Sequence, residues 1–156
     1  MKKQDYEILI EQLKAMCNGQ KYMCTLLSNT SALLKQCLED TNWVGYYLMR
    51  DGKLVLGPFQ GLVACEIIEV GKGVCGTAVK ERKTILVKNV HEFAGHIACD
   101  SASNSEIVIP IIIDDEVWGV LDIDSPLLER FDKTDQQYLE KAVEIITESI
   151  ICITRA

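Results

Sequence analysis

The chain has 156 residues, of which 48% are hydrophobic and 25% charged, with a formal net charge of −7. That suits one ordered domain with a real core, and its acidic balance, with no basic run to offset it, excludes nucleic acid as the expected partner. No stretch approaches the roughly 20 apolar residues of a membrane span. The N-terminal MKKQDYEILIEQ is broken by charge before a signal-peptide core forms, so a cytoplasmic protein is expected.

Helical spacing of Ile10, Leu13 and Cys17 predicts a helix over 3–17, stopped at Asn18-Gly19. A second helix is expected over 22–38 from Met23, Leu26, Leu27, Leu33, Leu34 and Leu38, with Ser28 to Ser31 weakening its middle. The segment 42–49 is rich in aromatic and β-branched residues, and Asp51-Gly52 predicts a tight hairpin into a returning strand over 53–59. Gly71-Lys-Gly-Val-Cys75-Gly reads as a turn into a short helix over 77–81. Short strands are expected at 84–87, 106–113 and 116–124, the last two joined at Asp114-Asp115. A final helix over 133–154 carries Leu139, Val143, Ile146, Ile150 and Ile153 on one stripe, and Thr134-x-x-Gln137 suggests its capping box. The expected class is α+β: one domain over 1–156, with N-terminal helices at 3–38, an antiparallel sheet and pocket at 41–125, and a C-terminal helix. The terminal helices are expected on one face of the sheet and a loop-covered pocket on the other.

Seven cysteines stand at 17, 24, 37, 65, 75, 99 and 152. An odd number without a secretory signal argues against a structural disulfide framework. Cys17, Cys24, Cys37 and Cys152 lie in amphipathic helices and are expected to fill core. Cys65, Cys75 and Cys99 lie among glycines or in loops, where burial is less natural. No Cys-x-x-Cys or matching His spacing is present, so zinc is weakly signalled and no metal is expected.

The long loop 91–105 contains Cys99 among small residues, followed by Ser and Asn that offer hydroxyls and backbone N–H groups suited to a carboxylate. On the strand 117–124, alternation places Trp118, Val120, Asp122 and Asp124 on one face, and Val117, Gly119, Leu121 and Ile123 on the other. Acids on an apolar face need a partner or a task, unless the strand leaves the core at Asp122. Trp43, Gly45 and Tyr47 likewise share a face, as a pocket wall or as ordinary aromatic packing.

The strings NWVGYY, LGPFQG, ACEI, GKGVCGTA, GHIACDSASNSEIV and GVLDIDSP, in this order, resemble the free methionine-(R)-sulfoxide reductases, which are built on the GAF fold. The resemblance runs from Asn42 to the C-terminal helix. It implies Cys99 as nucleophile, Cys65 as resolving thiol and Cys75 as a second or alternative recycling thiol. It implies substrate contacts from Glu106, Asp122 and Asp124 and a methyl pocket of Trp43 and Tyr47; beside it, the reading of the loop gives the Ser-rich turn, Ser103 within it, to the substrate carboxylate. The chain departs from the family at Val63, at Ile67-Ile68-Glu69 and at Asn89, which leaves open whether Cys65 or Cys75 resolves first.

The implied chemistry is attack of the Cys99 thiolate on the sulfoxide sulfur, with a proton supplied by one of the clustered carboxyls. Methionine leaves, Cys99 becomes a sulfenic acid, Cys65 or Cys75 condenses with it, and a thioredoxin-type reductant restores the thiols. No metal or organic cofactor is implied, and a homodimer is compatible with the resemblance. The alternatives are a non-enzymatic GAF sensor of a small ligand, a thiol redox sensor, and a zinc-stabilised interaction module.

Overall fold

A computed structural model of the chain describes residues 2–96 and 101–156. Helix α1 (Lys2–Cys17) buries Tyr6, Leu9, Ile10, Leu13 and Cys17, one stripe at helical spacing. Helix α2 (Met23–Cys37) keeps its Ser/Thr-rich middle because the hydroxyls have acceptors. Thr30 Oγ1 donates to the Leu26 carbonyl at 2.7 Å and meets the Tyr46 hydroxyl at 2.7 Å, both buried.

Six strands follow: β1 (Trp43–Arg50), β2 (Lys53–Gln60), β3 (Ile67–Ile68), β4 (Ile85–Val87), β5 (Ser105–Ile113) and β6 (Glu116–Ser125). They form one sheet in the order β3-β2-β1-β6-β5-β4, and every neighbouring pair is antiparallel. Both two-residue hairpin turns have positive φ at both positions, 52° and 77° at Asp51 and Gly52, 50° and 67° at Asp114 and Asp115. That backbone matches the right-handed strand twist, and Asp tolerates it through local side-chain bonding.

The sheet separates two cores. On one face Val44, Tyr46, Ile107, Ile109, Ile111, Leu121 and Ile123 pack with α1, α2 and the C-terminal helix α4 (Lys133–Thr154). On the other, Trp43, Tyr47, Val108 and Val120 pack with Val74, Cys75, Ala78 and Val79 of helix α3 (Gly73–Glu81). Period-2 alternation along β1, β5 and β6 assigns each side chain to its face.

Several expectations are corrected. The capping box of α4 is Asp132 with Asp135, not Thr134 with Gln137: the Asp132 side chain accepts from Asp135 N, and Asp135 accepts from Asp132 N. Two of the three glycines of GKGVCG, Gly73 and Gly76, lie inside α3 rather than before it, and Gly76 packs against the Glu69 carbonyl where a Cβ would collide. Strand β3, two residues long, has no alternation to reveal it. Cys17 is buried, but Cys24, Cys37 and Cys152 are exposed, on helix flanks away from the buried stripes. Trp118 does not share the face of Asp122. The β5–β6 register shifts between Ile111 and Ile112, and Trp118 is the extra residue of that bulge, so it packs on the helix-covered face while Val117 turns to the other.

Candidate functional site

Strand register assembles the site. Across β1, β6 and β5, Trp43 stands opposite Asp124 and Asp124 opposite Glu106; one step along, Gly45 stands opposite Asp122 and Asp122 opposite Val108. Two rows of the α3-covered face therefore carry an aromatic, three acids and a glycine. A Cβ on Gly45 would strike Phe59 and the Trp43 ring, so glycine lets Phe59 stack on Trp43 at 5.1 Å between ring centroids. Trp43 also stacks on Tyr47 at 5.9 Å.

A cavity of about 40 Å³ opens against these rows. Trp43 and Tyr47 form its apolar wall, with Ala64, Ile68 and Val74. Cys75, Ser103, Glu106, Asp122 and Asp124 supply its polar lining. Of the residues singled out by sequence, these seven (Trp43, Tyr47, Cys75, Ser103, Glu106, Asp122, Asp124) come together. Cys99 lies outside the described residues.

Burial sets the protonation of the acids. Glu106 is 6% exposed, and desolvation, then the charges of Asp122 and Asp124, hold its carboxyl well above the usual carboxylate range. Burial also raises Asp122, against hydrogen bonds from Glu106 and Cys75 that lower it. The consistent arrangement is a protonated Glu106 donating to an Asp122 carboxylate, with the Cys75 thiol donating to the same carboxylate. Asp122 Oδ1 is buried and, among the described residues, has no hydrogen-bond partner, which leaves it open to a donor from outside the chain. Asp122 thus does not mark the end of the core; it is an acid kept inside.

Cys75 is buried in the first turn of α3, correcting the expectation of an open, glycine-flanked thiol. Desolvation, and then the carboxylate of Asp122, push its thiol well up, so it stays protonated. Its sulfur and one oxygen each of Glu106 and Asp122 lie within 4.8 Å of one another, a spacing that could hold a metal ion only if Cys75 and Glu106 gave up their protons. The first turn of α3, from Gly73 to Cys75, also faces the cavity, and such a turn presents N–H groups without intrahelical acceptors.

Cys65, next to the cavity residue Ala64, is disulfide-bonded, whereas Cys17, Cys24, Cys37, Cys75 and Cys152 are free thiols. Its carbonyl accepts a 2.8 Å hydrogen bond from the Tyr47 hydroxyl. Three residues earlier, the Leu62 carbonyl accepts from Trp43 Nε1 at 3.1 Å. The two aromatics of the pocket wall therefore anchor the Cys65 segment.

Ser103 is buried, and its hydroxyl accepts from Asn42 Nδ2 at 3.1 Å. Sequence reasoning missed His96, which lines the cavity with Nε2 at 3.9 Å from Glu106 Oε2. Burial, then His91, lowers its pKa, so two neutral groups face each other there. It also missed Lys72 and the start of α3; the helical spacing of Val74 with Ala78, both buried, was the available signal.

Residues 26–150 match the GAF domain family. A free methionine-R-sulfoxide reductase of Escherichia coli (strain K12) is 50% identical over 138 residues, 88% of this chain and 84% of that one. The structure of fRMsr of Staphylococcus aureus in complex with substrate is 51% identical, with a TM-score of 0.89 over 92% of this chain and 94% of that one. Free methionine-R-sulfoxide reductase from Neisseria meningitidis in complex with its substrate is 38% identical, with a TM-score of 0.93 over 96% and 90%. With a GAF fold over most of its length and this degree of identity, the chain belongs to the GAF-domain family of free methionine-R-sulfoxide reductases.

Proposed function

We propose that the chain reduces free L-methionine-(R)-sulfoxide to methionine, with Cys99 as the nucleophile and Cys65 as the resolving thiol. The observation that carries this reading is one cavity that joins an aromatic wall and three carboxyls, with the disulfide-bonded Cys65 next to the wall residue Ala64 and hydrogen-bonded to Tyr47. Each part of the substrate has a counterpart. The S-methyl group lies against Trp43 and Tyr47. The ammonium goes to Asp122, whose Oδ1 is open, and to Asp124. The carboxylate meets Ser103 and the N–H groups opening α3.

Glu106, the most strongly held in its neutral form, is the proton donor to the sulfoxide oxygen. The Cys99 thiolate bonds to the sulfoxide sulfur as Glu106 protonates the oxygen; the hydroxyl then passes to the Cys99 sulfur while the new S–S bond and the S–O bond break, so methionine leaves with the electron pair as a thioether and Cys99 is left as a sulfenic acid. Cys65 then displaces that oxygen as water and forms the disulfide. A thioredoxin-type dithiol returns both thiols, in a reducing cytoplasmic setting, and the scheme calls on no metal or organic cofactor. Cys75, protonated beside Asp122, takes part in recycling only after Cys65.

In the disulfide-bonded form the 40 Å³ cavity holds only a few waters, at roughly 10–15 Å³ each. On the proposed cycle, substrate binds after the disulfide has been reduced. A simple thiol switch has no use for three acids beside an aromatic wall, which favours the enzyme over that alternative.

The test is a single turnover. Reduced chain is mixed with one equivalent of free (R)-sulfoxide, quenched with an alkylating reagent and mapped by mass spectrometry. One methionine per chain and a Cys65–Cys99 disulfide are expected. Cys65→Ser should still release methionine and leave a sulfenic acid on Cys99, trapped by a 1,3-dione. Methionine release from Cys99→Ser would overturn the assignment.

A further inference from the structure

The rim of the site carries an apolar strip that the reaction with sulfoxide does not use. Of the nine large apolar side chains left exposed among the described residues, four fall within 62–70: Leu62, Val63, Ile67 and Val70. Val63 is 88% exposed and Leu62 68%. They flank the disulfide-bonded Cys65 on both sides in sequence.

Their outward direction is fixed by the chain itself. The carbonyls of Leu62 and Cys65 accept hydrogen bonds from Trp43 and Tyr47, and the carbonyl of Glu66 accepts from Leu56 N at 3.0 Å. With the backbone tied inward, the side chains of Leu62 and Val63 are left outside. Ile67 follows on β3, the outermost strand at this end of the sheet, where one ladder edge has no neighbouring strand among the described residues. Exposed apolar residues are ordinary when scattered; gathered around a redox-active bond they point to contact with another molecule.

We propose that the strip Leu62–Val63, Ile67 and Val70 is the docking surface for a dithiol protein of the thioredoxin class that reduces the Cys65 disulfide. The proposal rests on the recycling step described above. The chemistry of the bond commits the partner: a disulfide opens by in-line attack of a thiolate, so the partner's surface must come against whatever surrounds Cys65. The surroundings here are apolar and extended, beside a free strand edge.

Electrons and protons balance in two steps. The partner's thiolate bonds to Cys65 Sγ, the old S–S bond breaks, and its electron pair leaves with the other sulfur, Cys99 on the reading above, which takes a proton. The partner's second thiol then loses its proton and attacks its own half of the mixed disulfide. Cys65 departs as thiolate and takes a proton. Two electrons and two protons pass to this chain, and the partner leaves as a disulfide.

The test compares oxidised full-length chain with its Leu62→Ser/Val63→Ser variant. Reduction is followed by quenched alkylation and mass, once with reduced thioredoxin and once with dithiothreitol, which is too small to need docking. The variant should lose about tenfold or more in the second-order rate with thioredoxin while its rate with dithiothreitol stays within about twofold. Ile67→Thr, conservative for an edge strand, should give a smaller loss of the same selectivity. Equal rates with thioredoxin in wild type and variant overturn the proposal, as does a wild type that thioredoxin reduces no faster than an equal concentration of dithiothreitol. The readout follows disulfide reduction alone. Failure of sulfoxide turnover, measured separately, would therefore remove the enzymatic reading without being mistaken for failure of the surface.

Discussion

The Tyr47 hydroxyl donates a 2.8 Å hydrogen bond to the carbonyl oxygen of Cys65, while the Tyr47 ring stacks on Trp43. One side chain thus joins the wall of the cavity to the segment that carries the proposed resolving thiol. Tyr47→Phe keeps the ring and removes the tether. We expect a loss of about 1 kcal/mol in stability by denaturant titration. Resolution of the sulfenic acid should slow, while the first release of methionine is less affected, as read by quenched-flow comparison of the two steps.

On the proposed mechanism, the neutral form of Glu106 sets the pH profile. Its pKa is raised by burial first, then by Asp122 and Asp124, so kcat/KM should fall as pH rises through that elevated value. The same shift affects stability with a definite sign. The protonated carboxyl's contribution is fully present below the ordinary Glu value and is lost as pH rises through the raised one. Glu106→Gln should reduce kcat/KM by about 10²–10⁴-fold, flatten this limb, and unfold at higher urea than wild type above the raised pKa. A mutant profile that keeps the limb would assign the proton to another group.

Helix α4 starts on Asp132, whose carboxylate is held down to about 2, first by the backbone N–H of Asp135 and then by Lys2. A depressed carboxyl contributes stability above its unfolded value of about 3.9, and that contribution is lost as pH falls through about 2. Asp132 is largely exposed, so solvent screens the Lys2 contact and the cap itself carries most of the effect. Asp132→Ala should cost about 1 kcal/mol at neutral pH by urea denaturation, and Asp132→Asn much less. The difference between wild type and Asp132→Ala should shrink at pH 2.

Gly45→Ala places a methyl group against Phe59 and the Trp43 ring. Overpacking of this kind costs about 1–3 kcal/mol. If the displaced rings form the proposed methyl pocket, KM for the sulfoxide should rise as Tm falls, in parallel steady-state and calorimetric measurements. A lowered Tm with KM unchanged would separate the aromatic stack from substrate binding.

Most of the framework was legible because it depends on periodicity and turn chemistry. The Asp51-Gly52 and Asp114-Asp115 hairpins, the helical stripes and the α+β class follow from residue spacing alone. What spacing cannot carry was missed. A bulge removes Trp118 from the face of Asp122, and a bulge depends on strand register rather than on either strand's own pattern. Asp132 lies two residues ahead of the motif that resembled a cap. Cys24, Cys37 and Cys152 share helices with buried residues yet point outward, so composition misjudged them. In the site, the alternation of Asp122 and Asp124 with apolar residues was a true signal. His96 carried none, because its approach to Glu106 joins a loop and a strand ten residues apart.

The central claim is that a cysteine of this pocket reduces one epimer of one free amino acid. It is tested most directly by a turnover assay following NADPH consumption with thioredoxin and its reductase. Free L-methionine-(R)-sulfoxide, the (S) epimer and a peptide-bound sulfoxide are supplied in turn, to wild type and Cys99→Ser. Consumption by wild type with the free (R) epimer alone, and none by Cys99→Ser, is the predicted result. Equal consumption with the peptide-bound sulfoxide, undiminished turnover by Cys99→Ser, or no turnover by folded and reduced wild type would contradict it.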